Sequence, residues 1–159
     1  MPDPKPADTP PPSAGAVGQR PEPLRSYNFS LEIDSKNEGY FTHCSGLGMR
    51  VNHIAYREGG GGLTVHRLSG PVEYGEVVLK YGLTQSRTLW DWLMSAASGV
   101  PQRKNVSILM QKPDGTGEQV RWNLIDAWAC EWRGAPLEGL GREIAIETLV
   151  LVCEKIERG

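Results

Sequence analysis

The chain has 159 residues, enough to enclose one hydrophobic core and short for two. Hydrophobic residues make up 39% and charged residues 23%, and a formal net charge of −2 argues against a nucleic-acid surface or a basic membrane tether. No run of about 18 apolar residues marks a transmembrane helix, the N-terminus lacks a secretory apolar segment, and Cys44, Cys130 and Cys153, without CxxC spacing, suit a reducing cytoplasm better than a disulfide framework.

Residues 1–23 hold most of the prolines, separated by small and polar residues whose charges nearly cancel. Such a segment has little to bury and is expected to be a disordered or polyproline-II tail, a spacer ahead of one folded domain over 24–159. Tyr27, Phe29, Leu31 and Ile33 alternate with Asn28, Ser30, Glu32 and Asp34, the period of a strand with one buried face. Lys36-Asn37-Glu38-Gly39 supplies a turn, and residues 40–45 read as a second strand. Gly46-Leu47-Gly48 interrupts the pattern before a third strand over 49–57. A glycine-rich stretch follows, with a short extended piece at 63–68 and a further strand at 72–81, closed by Gly82.

One helix is expected between residues 84 and 98, with Leu89, Leu93 and Ala96 on one stripe and Trp92 and Ala97 beside it. Thr88, Ser86 and Thr84 are the candidate caps, and Gly99 and Pro101 are stop signals. Beyond it, Val106, Ile108 and Met110 alternate, Pro113-Asp114-Gly115 turns, and Val120, Trp122 and Leu124 return as the second strand of a hairpin. Residues 126–133 place Trp128, Cys130 and Trp132 on one parity. A long last strand is expected over 142–155, apolar on both parities and so buried on both sides at its middle. Many short strands and one helix predict a mainly β fold, a sandwich or barrel with a flanking helix.

Chemistry is sparse. Gly59–Gly62 leads into Leu63-Thr64-Val65, which is neither a phosphate loop nor a dinucleotide fingerprint. His43-Cys44, His53 and His66 lack the paired spacing of zinc ligands, and no Gly-x-Ser-x-Gly elbow or nucleophile–base pattern is present. No catalytic residue, metal or cofactor is expected. Five tryptophans (Trp90, Trp92, Trp122, Trp128, Trp132) without a basic stripe point to core and interface packing. Ordering four consecutive glycines loses much chain entropy, so the stretch is expected to be fixed by something outside the local chain.

From Tyr27 onward, the order of signals resembles the tail-tube proteins of contractile phages and contractile injection systems. The pieces that carry this are Tyr27-Asn28-Phe29, Gly39-Tyr40-Phe41-Thr42-His43-Cys44-Ser45-Gly46-Leu47, the glycine-rich arm with Leu68-Ser69-Gly70, and Val78-Leu79-Lys80-Tyr81-Gly82. Further along come Leu89-Trp90-Asp91-Trp92, Trp122-Asn123-Leu124, Asp126-Ala127-Trp128, Trp132-Arg133-Gly134-Ala135-Pro136-Leu137 and Ile146-Glu147-Thr148-Leu149. The family often has Leu-Pro-Gly where this chain has Leu68-Ser69-Gly70, and the tail at 1–23 is longer than a tube subunit requires.

The resemblance implies a non-enzymatic subunit that closes into homo-hexameric rings. The rings would stack into a hollow tube inside a contractile sheath, between baseplate and cap proteins, with protein effector or DNA as cargo in the lumen. Assembly would be cytoplasmic, ahead of incorporation into a phage tail or injection particle. In that setting, residues 50–70 are expected to be an inter-subunit arm with Gly59–Gly62 as its tip. Its contact residues would be Arg50, Asn52, Tyr56, Arg57, Gly59, Gly60, Gly61, Gly62, Leu63, Val65, Arg67 and Leu68. The rival reading is a small ligand-binding β-barrel whose tryptophans line a cavity.

Overall fold

The computed structural model describes residues 29–37, 41–60 and 62–159; the proline-rich tail and Tyr27, Asn28, Gly39, Tyr40 and Gly61 lie outside them. The N-terminal alternation forms β1 (Phe29–Ile33), which pairs at once with β2 (Lys36–Asn37). Ile33 and Lys36 face each other across a turn at Asp34-Ser35, both at positive φ, so Lys36 and Asn37 of the expected turn are strand, while Glu38 and Gly39 lie outside the described residues. A long-range contact holds it there: Asp34 N–H donates to the Asn105 carbonyl at 2.9 Å, and Asn105 N–H donates to Asp34 Oδ1 at 3.3 Å.

The strands β3 (Phe41–Ser45), β4 (Met49–Tyr56), β5 (His66–Tyr74) and β6 (Val77–Gly82) follow. The expected break near Gly70 lies instead at Gly75-Glu76, and Ser69-Gly70-Pro71 runs inside β5. Proline is tolerated there because Gly70 and Pro71 together oppose the single residue Asn52 in a bulge, where the ladder needs no donor from Pro71.

The helix α1 (Thr88–Ala97) is shorter than 84–98 and has Arg87 at its N-cap without a side-chain cap bond, while the hydroxyl of the candidate Ser86, one position earlier, accepts from Thr88 N–H at 3.5 Å. Its C-terminus matches expectation. Gly99 takes φ 88° and donates to Ala96 O at 3.0 Å, and Val100 donates to Ser95 O at 3.2 Å, which satisfies carbonyls the last turn leaves open. Trp92 is the buried side chain of the helix, flanked by half-buried Leu89 and Leu93, while Ala97 is exposed.

The remaining strands are β7 (Lys104–Gln111), β8 (Glu118–Arg133), β9 (Ile146–Val152) and β10 (Lys155–Arg158). Two expected strands, 120–124 and 126–133, are thus one continuous β8, and the expected 142–155 strand starts at Ile146 and is split into β9 and β10. Both differences have one cause. Asp126 takes φ 52°, Cys153-Glu154 lies opposite it, and the β7 ladder shifts register between Lys104 and Val106. Three irregularities at one level bend the sheet there, so β9 and β10 follow the same edge of β8 around the bend.

Hydrogen-bonded neighbours run β2-β1-β7-β8-β9-β6-β3, with β10 also on β8, and β4 and β5 form a separate two-stranded sheet. The two limbs meeting in β8 enclose the core as a sandwich. Leu31, Ile33, Val106, Ile108 and Leu124 come from one limb and Val77, Leu79, Ala127, Ala129, Leu149 and Leu151 from the other, with Trp92 between them. Burying a leucine contributes about 1.5–3 kcal/mol, so these positions dominate stability. The tryptophan parity is corrected by a second bulge in β8 between Ala129 and Glu131, which puts Trp132 on the inward face with Ala129 while Trp128 keeps the opposite face. In β9, Leu149, Val150 and Leu151 are all buried, the two-sided burial its apolar parities implied.

Candidate assembly arm

Among the described residues, the β4–β5 hairpin pairs with no other strand. No residue in either strand is buried, so the arm has no core of its own. An isolated two-stranded hairpin is marginal in water. Its root is fixed by backbone. Gly46 has φ 84°, and a Cβ there would lie 1.9 Å from Glu76 O; one on Gly75 would lie 2.6 Å from Gly46 O. Gly75 N–H donates to Gly48 O at 2.9 Å across the same crossing.

Cross-strand register sorts the predicted contact residues. Arg50 faces Glu73, Tyr56 faces His66, and Leu68 faces Ile54, all on one side with Asn52 at the bulge. Arg67 faces Ala55 on the other side, where its Nη1 donates to His53 Nε2 at 2.5 Å. Arg57, Gly59, Gly60, Gly62, Leu63 and Val65 form the tip, with Gly60 and Gly62 at positive φ and no atom near enough to crowd a Cβ; Gly61 falls outside the described residues. Leu63 is 90% exposed.

Residue-level reading of the sequence missed Met49, Val51, Ile54 and Val72, which are exposed beside the named residues. The signal was available in the alternation itself. Met49 and Val51 face Tyr74 and Val72 near the root, whereas Ile54 and Tyr56 face Leu68 and His66 towards the tip on the opposite side. The arm therefore shows apolar surface on both faces, and contiguous exposed apolar surface marks interaction sites.

The family model of the T4-like virus tail tube protein gp19 matches residues 25–157. The chain belongs to this tail tube family. No curated protein sequence matches it. Among solved structures, it is similar to a chain of the sheath–tube complex of the PVC extracellular contractile injection system in its extended state, at 21% identity and TM-score 0.78, covering 86% of this chain and 91% of that one. It is also similar to a chain of the anti-feeding prophage cap, at 22% identity and TM-score 0.77, covering 87% and 91%. Hcp1 from Flavobacterium johnsoniae matches at 16% identity and TM-score 0.52, covering 84% and 95%. At these identities the likeness establishes a shared tail-tube fold.

The other side-chain sets singled out in the sequence stay apart in this tail tube domain. Among the described residues, no three His, Cys, Asp or Glu side chains gather as metal ligands. Cys44 opposes Leu79 towards the core, and His43 opposes Lys80 on the outer side. Trp92 is in the core, and Trp90 packs edge-on to Trp132 with centroids 5.0 Å apart, beside a cleft of about 190 Å³ that also meets Tyr81 and Glu147.

Burial raises the Cys44 thiol from an ordinary 9.0 to about 11, which leaves it protonated and a poor nucleophile near neutrality. Burial, then the neighbouring Glu147 carboxylate, raises the Tyr81 phenol from 10.0 to about 12. Both groups ionise more readily in the unfolded chain, so their contribution to stability is complete below about pH 9 and is lost as pH rises to about 12. Urea midpoints measured from pH 8 upward are expected to fall through that window, and Tyr81→Phe is expected to remove the upper part of the fall.

Proposed function

We propose that the chain is the inner-tube subunit of a contractile injection system or phage tail. Copies close into hexameric rings, the rings stack into a hollow conduit within a contractile sheath, and baseplate and cap proteins bound its two ends. The observation that carries this reading is the β4–β5 arm: a hairpin fixed at its root, apolar on both faces and, among the described residues, paired only with itself. Such an arm is ordered by neighbouring copies, and repetition of one heterologous contact builds rings or filaments. The tail tube family match supports the same role, as do the sheath–tube, cap and baseplate settings of the structurally similar chains.

The subunit acts by shape and surface, without a catalytic step, and its cargo is a protein effector or DNA moving through the lumen. It is assembled in the cytoplasm and then becomes part of a phage tail or an injection particle; no helix among the described residues is long and apolar enough to cross a membrane.

Electron microscopy of the purified chain tests this, with rings or tubes on the order of 10 nm across as the expected result. Deleting residues 59–62 is expected to leave a folded, soluble monomer that forms no tubes, with hydrogen exchange at the shortened tip fast. Tubes of normal yield from the deletion variant would remove the arm from the assembly contact.

A further inference from the structure

The tail-tube reading leaves open what receives the arm, and strand register locates a surface for it. Val77, at the start of β6, pairs with Leu151, and Gly82, at its end, pairs with Ile146. The arm springs from the Val77 end, through Gly46 to Gly48 on one side and Gly75-Glu76 on the other. The loop at 134–145 stands at the Gly82 end, where Leu83 N–H donates to Ala145 O at 2.9 Å. The six residues of β6 hold the two about 20 Å apart at opposite ends of one strand.

The loop is as unusual as the arm. Leu137, Leu140 and Ile144 are 86%, 95% and 81% exposed. Charge differs in sign between the two ends. The hairpin carries Arg50, Arg57 and Arg67 against Glu58 and Glu73, whereas residues 134–145 carry Glu138 and Glu143 against Arg142. Both surfaces are apolar knobs set among charges, and they are complementary in sign.

We propose that residues 134–145 are the receiving surface for the β4–β5 arm of a second copy. This rests on the inner-tube reading and gives it a direction. An arm and a receiving surface at opposite ends of a strand meet head to tail between copies, and that contact does not close on itself within a pair. The Ile54–Leu68 side of the arm lies against Leu137, Leu140 and Ile144, with the arginines of the arm among the carboxylates of the loop.

The test uses the full-length chain and two variants. Leu140→Lys combined with Ile144→Lys alters exposed loop positions, so the melting temperature is expected to match wild type while sedimentable tube falls roughly tenfold or more. Tyr56→Cys combined with Leu140→Cys, in a Cys130→Ser background, is expected to give a ladder of disulfide-linked multimers on oxidation of assembled material. Wild-type tube yield from the lysine variant, or tubes of the cysteine variant without a ladder, overturns the receiving surface and leaves the inner-tube reading standing. A wild-type chain that stays monomeric under every assembly condition overturns that reading, and the receiving surface with it.

Discussion

Gly46→Ala is expected to lower stability by roughly 2–6 kcal/mol and to abolish tube formation. Two effects add at that position. An alanine must hold φ 84°, a conformation that costs an L-residue about 1–3 kcal/mol. Its Cβ must also displace the Glu76 carbonyl from 1.9 Å, and that oxygen belongs to a backbone held on its other side by β6. Relief requires the two chains at the arm root to separate, which breaks the Gly75–Gly48 hydrogen bond and swings the arm away from its direction. Urea unfolding reports the first effect and microscopy the second. Gly59→Ala is the control: nothing lies within 4 Å of its Cβ position, and stability is expected to stay within about 0.5 kcal/mol of wild type. Equal midpoints for Gly46→Ala and Gly59→Ala would mean that the root is not so tightly crossed.

Trp92→Ala is expected to cost roughly 3–5 kcal/mol, a large share of the 5–15 kcal/mol that holds a typical domain. The indole is 2% exposed and is the helix's main anchor between the two limbs of the sheet. Its Nε1–H donates to Gln102 O at 2.6 Å, which ties the chain after α1 to the helix, and Lys104 Nζ lies 5.5 Å from the ring centroid. Trp92→Phe keeps most of the apolar area and loses the donor, so it is expected to cost about 1–3 kcal/mol. Differential scanning calorimetry separates the two; an alanine variant no less stable than the phenylalanine variant would show that packing of this side chain does not matter.

Much of the fold was legible because period-two alternation reports which face of a strand is buried, as in β1, while apolar residues on both parities report the two-sided burial of β9. The misplaced boundaries share a physical origin. At Asp34-Ser35 and Asp126, non-glycine residues hold positive φ because distant partners fix them, and local composition gives no sign of that. Pro71 was read as a break since the bulge that accommodates it depends on Asn52, nineteen positions away in sequence. The arm stood out through its glycines, but its apolar content did not. Met49, Val51, Ile54 and Val72 look like ordinary core residues until the structure shows them exposed among the described residues. The same holds for Leu137, Leu140 and Ile144, which composition alone would assign to the interior.

The 16-residue strand β8 bears on how the subunit would carry load. It serves as a spar common to both limbs, paired with β7 and β10 before its bend and with β9 after it. Neither limb can pivot against the other without straining hydrogen bonds to this one strand, so in the proposed tube thrust would be borne by the whole domain as a single stiff body. Compliance is left to the arm and to the joints between copies, which is where a driven needle made of such units would flex.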